Sequence, residues 1–278
     1  MKLPITVVIP VRNEERNLPA CLASLNDSFA KVLVVDSGST DATKSIAANA
    51  GAQVLDFRWD GKFPKKRNWV LRNHAFETPW VFFLDADERV TPDFIDELHR
   101  LLPKTTDIGF WISFRNWFMG KPLGYGDTMR KLALFRVGAG EYEKFAEDYW
   151  SNLDMEVHEH PVLIGAVGQV ASKLDHYDYR GFHHYVAKHN EYSTWEANRY
   201  DWLKQNSHEH WEQLTQRQKF KYRNLDKWWL GLVYFMASYF LKLGFLDGRV
   251  GWTFNRLKMR YFNDIRLKIR ELRTARRP

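Results

Sequence analysis

Cysteine is nearly absent from this chain: Cys21 is the only one in 278 residues. An internal disulfide framework is therefore excluded, and a reducing, cytoplasmic setting is expected. Cys21 falls in a helical pattern with Leu18, Leu22 and Leu25, which predicts a buried structural thiol. A membrane-spanning run is also missing. The best candidate, Trp228 to Leu241, stops at Lys242 after fourteen residues, whereas a spanning helix needs about 20, so it is too short unless it absorbs Lys242 and runs to Leu246. No internal repeat and no low-complexity linker interrupts the chain. Met1-Lys2-Leu3-Pro4-Ile5 runs straight into a strand, so no signal peptide is expected. Most of the chain lacks net charge as well. The formal charge is +7, yet residues 242–278 hold eleven Lys/Arg against three Asp/Glu, which leaves residues 1–241 close to neutral. The basicity belongs to the tail. A near-neutral body argues against a nucleic-acid footprint.

What is present is an alternation of strand and helix signals. Ile5 to Ile9, closed by Pro10, Val32 to Val35, and Gln53 to Phe57 read as strands, the first two as buried β-branched runs. Helical spacing covers Glu14 to Leu25, with Pro19 as a flaw. Ser37-Gly38-Ser39-Thr40-Asp41 is a turn feeding a helix through Ala50, stopped by Gly51. Lys65 to His74 looks helical. Thr91-Pro92 supplies a cap and a first-turn proline for a helix to Leu102. Such a β-α-β-α order predicts a mostly parallel, doubly wound sheet flanked by helices. Beyond residue 109, Phe110–Phe118 and Leu132–Arg136 read as strands of a mixed region, and Phe182–Asn206 as a long helix. Three parts are expected: residues 1–108, residues 109–205, and a helical tail over 206–278.

The most informative segment is Val81-Phe82-Phe83-Leu84-Asp85-Ala86-Asp87-Glu88. An apolar strand ends in acids. Carboxylates are hard oxygen ligands suited to Mg²⁺ or Mn²⁺. At the carboxyl end of a parallel strand they stand where open α/β sheets bind ligands. A divalent ion there could neutralise a departing nucleotide diphosphate. An incidentally acidic loop is the other reading of this segment taken alone.

Four stretches carry a resemblance to a known family: Val8-Ile9-Pro10-Val11-Arg12-Asn13-Glu14-Glu15, Val34-Val35-Asp36-Ser37-Gly38-Ser39-Thr40-Asp41, Lys65-Lys66-Arg67-Asn68, and Leu84-Asp85-Ala86-Asp87-Glu88. In this order and spacing they resemble the GT-A glycosyltransferases of family 2. Val157-His158-Glu159, Leu174-Asp175-His176-Tyr177 and Gly244-Phe245-Leu246-Asp247-Gly248 look like the branch of bacterial lipopolysaccharide-core glucosyltransferases. The resemblance covers residues 4–180 well and the tail less specifically. It implies a GT-A fold, a Rossmann-like sheet flanked by helices, and a metal-dependent, inverting transfer from a nucleotide sugar, with UDP as the expected nucleotide.

The resemblance also implies site residues. Pro10 and Glu14 match the first nucleotide-binding loop, and Asp36 the nucleobase contact. An ordinary turn aspartate before Ser-Gly is the alternative for Asp36. Arg67 matches a donor-contacting basic position, while Lys65 and Lys66 stay open between that role and solvated charge. Asp87 is expected as the principal metal ligand, and Asp85 beside the ribose or the ion. His176 either completes the metal site or is a core histidine. Arg130 is expected to face the pyrophosphate. An inverting transfer needs a carboxylate base, and Glu147, Asp148, Asp154, Glu156 and Glu159 are the candidates. Glu159 matches the family's Val-His-Glu glutamate, with Asp148 next. No Gln-x-x-Arg-Trp motif of processive synthases is present, which favours transfer of one sugar.

From Trp252 on, Phe254, Leu257, Tyr261, Ile265 and Ile269 alternate with Arg256, Lys258, Arg260, Arg266, Lys268 and Arg270. This is a basic amphipathic helix. It is read as an attachment to anionic lipid, with a helix packed on the domain and nucleic-acid binding as competing readings. The expected enzyme is thus peripheral on the inner face of the cell membrane and acts on a membrane-bound glycan or lipid-linked acceptor. A polyprenyl-phosphate sugar transferase and a non-catalytic nucleotide-sugar-binding scaffold are the alternatives.

Overall fold

The structure, a computed structural model, describes residues 1–144, 154, 160–206, 211, 212 and 214–275. Among these, residues 1–117, 128–144, 154 and 160–178 form one compact unit, and 118–127 with those from 179 on form a second. The expected bounds after 108 and 205 do not coincide with them. Two pairings explain the difference. The strand beginning at Gly109 is hydrogen-bonded inside the first unit's sheet, and the helix ending at Gln205 packs along the C-terminal helix.

The first unit is built on a sheet with eight described strands. Its parallel half orders β3 (Gln53–Asp56), β2 (Phe29–Asp36), β1 (Leu3–Val11) and β4 (Trp80–Phe83) side by side. Almost every residue of β1 is buried and β4 is buried throughout. Central strands covered on both faces read as continuous apolar runs rather than alternating ones. Helices α1 (Leu18–Ser24), α2 (Thr43–Asn49), α3 (Lys66–Asn73) and α4 (Pro92–Leu101) belong to this unit. The Rossmann-like, helix-flanked half expected for a GT-A fold is therefore present. Pro19, a flaw in the sequence pattern, stands in the first turn of α1. There a missing N–H costs nothing, so the helix starts later than its apolar spacing suggests. At α4 the hydroxyl of Thr91 accepts from the Phe94 amide, as the cap signal predicts.

The other half of the sheet is mixed. β4 continues antiparallel to β8 (Arg130–Arg136), which pairs antiparallel with β6 (Gly109–Phe118). Next come β11 (Val167–His176), parallel to β6, and the two-residue β5 (Glu88–Arg89), antiparallel to β11. β7 (Lys121–Pro122) belongs to the second unit, and β9 (Gly140–Tyr142) with β10 (Pro161–Leu163) form a small separate ribbon.

The second unit is helical: α5 (Phe182–Gln205), α6 (Gln216–Asn224), α7 (Leu230–Met236) continued by a π-helical turn (Ala237–Leu241), a short 3₁₀ turn (Gly244–Asp247), and α8 (Gly248–Ala275). Its core gathers Ala197, Tyr200 and Leu203 with Tyr222, Leu225, Leu230, Ile265 and Ile269. A buried polar cluster accompanies it, in which Lys221 and Tyr222 donate to Glu196 at 2.7 and 3.0 Å. The predicted amphipathic helix is real, but its apolar stripe faces inward. Ile265 and Ile269 are buried, and Tyr261, Phe262 and Leu272 pack against the same core. Gly251 meets the Gly244 carbonyl and the Asp247 side chain so closely that a Cβ would collide with both. Among the described residues no single helix is long and apolar enough to cross a membrane.

Candidate active site

Two loops at the carboxyl ends of β1 and β2 form the first part of the site. They are stitched by local hydrogen bonds. Asn13, at φ 55°, donates its amide to Ser39 Oγ at 2.8 Å and accepts the Thr40 amide at the same distance. The Glu14 amide donates to Thr43 Oγ1 at 2.8 Å. Asp36 ends β2 fully buried. Its carboxylate accepts the amides of Gly38 and Ser39, each at 2.9 Å, and the Ser39 hydroxyl. Gly38 adopts φ 76°, which the turn requires and a side chain resists. Asp36 thus closes its own turn here, one of the two readings open in the sequence. Pro10 lies buried in β1 opposite Val35. Glu14 accepts from Asn17 Nδ2 at 3.1 Å.

The basic stretch at the start of α3 is not solvated. Lys65, Lys66 and Arg67 are all buried. Lys66 Nζ donates to the Val11 carbonyl at 3.0 Å and lies 3.3 Å from Asp154. Burial lowers its pKa, against the opposing effect of Asp154. Arg67 reaches Asp85 Oδ1 at 2.6 Å. The Asn68 side chain bonds both backbone groups of Tyr142, at 2.8 and 3.0 Å, and ties β9 to α3.

Beyond β4 the acids separate into two sets. Asp85 faces cations: Arg67 on one oxygen and Lys131 on the other. Lys131 also bonds the fully buried Glu88, whose other oxygen accepts the Asp85 amide at 3.0 Å. Burial pushes the Asp85 carboxyl up, but Lys131 and then Arg67 outweigh it and hold the group well below the usual carboxylate range. Burial likewise pushes Glu88 up, and there it prevails over Lys131. Lys131 itself is raised, because Asp85 and Glu88 overcome the cost of burying its charge.

Asp87 belongs to the second set. Its Oδ1 lies 3.6 Å from His176 Nε2, and each side chain is 11% exposed. Asp87, His176 and Asp178 place one ligand atom each within 4.8 Å of one another. His176 Nδ1 is 3.1 Å from Asn116 Oδ1. An Nδ1–H donated to that oxygen would orient the ring and leave Nε2 free to ligate. Burial opposes a charge on His176, yet Asp87, then Glu88 and Asp178, raise its pKa above the ordinary value. Two carboxylates and an imidazole are a donor set for Mn²⁺ or Mg²⁺, so the residues present fit a divalent cation.

Of the expected ligands, Asp87 and His176 come together while Asp85 stands with Arg67 and Lys131 instead. Asp178 was not anticipated; its signal was alternation, since it follows His176 by two in an extended segment. Lys131 is not among the expected site residues, whereas its neighbour Arg130 is expected at the pyrophosphate. Successive strand residues point to opposite faces. Lys131 therefore meets Asp85, and the exposed Arg130 lies over the Trp111 ring at 5.7 Å. Glu159, the expected base, lies outside the described residues, as do Glu147, Asp148 and Glu156. Asp154, the remaining candidate, is engaged with Lys66.

The chain is similar to several known proteins. A family model described as glycosyl transferase family 2 matches residues 6–152. The lipopolysaccharide core biosynthesis glycosyltransferase LpsC of Rhizobium meliloti is 32% identical over 209 residues, 70% of this chain and 71% of that one. A glycosyltransferase of Mycobacterium bovis is 38% identical over 104 residues, 37% of this chain and 46% of its own. Among solved structures, glucosyl-3-phosphoglycerate synthase from Mycobacterium tuberculosis, in complex with Mn²⁺, UDP and glucosyl-3-phosphoglycerate, is 28% identical over 42% of this chain and 44% of that one, with a TM-score of 0.31.

Proposed function

The chain belongs to glycosyl transferase family 2, and on that premise we propose that it moves one sugar from a UDP-sugar to a membrane-bound glycan or lipid-linked saccharide. The setting is the cytoplasmic face of the cell membrane, in lipopolysaccharide or other surface-polysaccharide synthesis. The observation that carries the reading is the convergence of Asp87, His176 and Asp178 beyond the carboxyl end of β4. Similarity to the rhizobial glycosyltransferase of lipopolysaccharide core biosynthesis supports the acceptor class.

Asp87, His176 and Asp178 would hold a divalent cation, which when bound supplies positive charge for a nucleotide diphosphate. The protein's own groups do the rest. The loops after β1 and β2 offer the donor a wall braced by Asn13, Ser39 and Thr40. Asp85, kept ionised, fixes Arg67 and Lys131. Transfer requires the acceptor oxygen to bond the anomeric carbon from the face opposite the leaving group. The bond to the diphosphate oxygen breaks, and its electron pair leaves with the diphosphate. The hydroxyl proton passes to a carboxylate, and Glu159 is the assigned base.

The test is hydrolysis and transfer with a panel of nucleotide sugars, with and without Mn²⁺. A UDP-sugar turned over only with the ion is the expected result. Tight binding of a nucleotide sugar with no turnover on any acceptor or water would favour the scaffold alternative. Turnover on polyprenyl phosphate alone would favour the other.

A further inference from the structure

Within the helical unit, one face of α7 is exposed among the described residues. Gly231, Phe235 and Ser238 are buried, while Trp228, Leu232, Met236 and Phe240 recur every four residues on the other side and are exposed. Trp228 is 71% exposed, and Leu241, at the end of the π-helical turn, 82%. The stripe continues through Leu243, Phe245 and Leu246 to Trp252 at the start of α8, all exposed. An apolar surface of this extent marks an interaction site.

Charge around the stripe is mostly positive, although Lys227 lies 4.0 Å from Asp226 and Arg260 3.6 Å from Asp264. Lys227, Arg249, Arg256 and Arg260 are exposed beside it, and Arg256 lies over the Trp252 ring at 5.6 Å. From residue 227 to 263 the sole acid is Asp247, and its two oxygens accept the amides of Gly124 and Tyr125 at 3.0 and 3.1 Å. Trp and Leu framed by an excess of Arg and Lys, with Arg249 and Arg256 exposed beside Trp252, match a bilayer interface with anionic headgroups. The same surplus disfavours a second copy of the chain, since two such faces would repel. Neither arm is a span: Leu230–Leu241 is too short, and the chain bends by 77° before α8.

We propose that α7 and the turn to α8, residues 228–252, insert into the headgroup and upper acyl layer of an anionic membrane. The basic outer face of α8 then adds attraction without inserting, because its apolar stripe is consumed in the core. This deepens the reading of a membrane-bound acceptor and rests on it.

The test uses the full-length protein and phosphatidylcholine vesicles with and without phosphatidylglycerol. Co-sedimentation is expected with the anionic vesicles and to be only partly reversed by salt, because apolar insertion is not screened. The double variant Leu232→Glu/Met236→Glu should weaken binding by at least about tenfold, since it removes two inserting apolar side chains and sets carboxylates against the anionic surface. Its circular dichroism and its Mn²⁺-dependent donor hydrolysis should match the parent. Arg270→Glu, at the far end of α8, should have the smaller effect. Lipids brominated near the headgroup should quench tryptophan fluorescence, and Trp228→Phe should reduce that quenching. Wild-type protein that ignores anionic vesicles at low salt, or a double variant that binds them normally, would overturn the proposal. So would a dimer, seen by light scattering, that the double variant dissociates while neither form binds vesicles. Vesicle binding intact with no donor hydrolysis would overturn the donor assignment and leave the surface standing.

Discussion

The Tyr177 amide donates to the Asp87 carbonyl at 2.8 Å. This bond extends the short ladder in which His176 faces Glu88 and Asp175 faces Arg89. Side chains on either side of Tyr177 then share one face of an extended segment, and His176 and Asp178 both meet Asp87. A pairing of a few residues, across ninety positions of sequence, thus assembles the candidate metal site. Tyr177 is held firmly in turn: Arg89 lies over its ring at 3.7 Å and Trp117 stacks on it at 4.9 Å.

Asp178→Asn should weaken Mn²⁺ binding by at least about tenfold, the equivalent of 1.4 kcal/mol. Asp175→Asn should not, because Asp175 is turned to Arg115 at 2.5 Å. Isothermal titration with Mn²⁺ compares the two. Equal losses would mean that the acidity of the segment matters and the position of Asp178 does not.

The proton on His176 competes with a cation. Its folded pKa is raised above 6.5, so without metal the protonated ring contributes stability that is full below 6.5 and is lost as pH rises through the folded value. A ligating imidazole must be neutral. Mn²⁺ affinity should therefore rise with pH through that same window, and binding below it should release a proton. Calorimetry in buffers of different ionisation heat reads the proton directly; a pH-independent affinity in the His176→Asn variant is the expected control.

Lys131→Met should destabilise the fold by on the order of 3 kcal/mol, because it leaves Asp85 and Glu88 facing each other with one cation fewer. Glu88 is already pushed up by burial. A raised carboxyl makes the folded state bind more protons than the unfolded one, so stability rises as pH falls through its pKa. Mild acid should return part of the loss in urea melts. A loss that deepens on acidification would place the damage elsewhere.

Glu159→Gln should leave donor binding nearly intact and cut transfer by about 10²–10⁴-fold, the usual worth of a general base. Asp148→Asn is the comparison. The larger loss in Asp148→Asn would reassign the base.

Much of the first unit was legible in the sequence. The apolar runs at Ile5, Val32 and Val81, the Gly51 stop and the Thr91 cap act through local physics, and each stands near its expected place. What escaped depended on distant pairing. β5 is two residues long and has no periodicity to read, yet it pairs His176 with Glu88, next to Asp87. Lys131 and Arg130 are neighbours whose roles are decided by strand parity, which a sequence one residue out of register inverts. The amphipathic pattern of residues 252–270 was plain, but periodicity does not say whether the apolar stripe meets lipid or protein. Its burial against α5 and α7 answers that, and the exposed stripe is the one preceding it.

The central claim is that Asp87, with His176 and Asp178, makes nucleotide binding depend on a divalent cation. The most direct measurement is UDP affinity by titration calorimetry, with and without Mn²⁺, for the wild type and Asp87→Ala. The wild type should bind UDP at least about tenfold more tightly with the ion, a gain of 1.4 kcal/mol, and Asp87→Ala should show the weak, ion-independent affinity alone. A folded Asp87→Ala protein that retains the full Mn²⁺ enhancement would contradict the account.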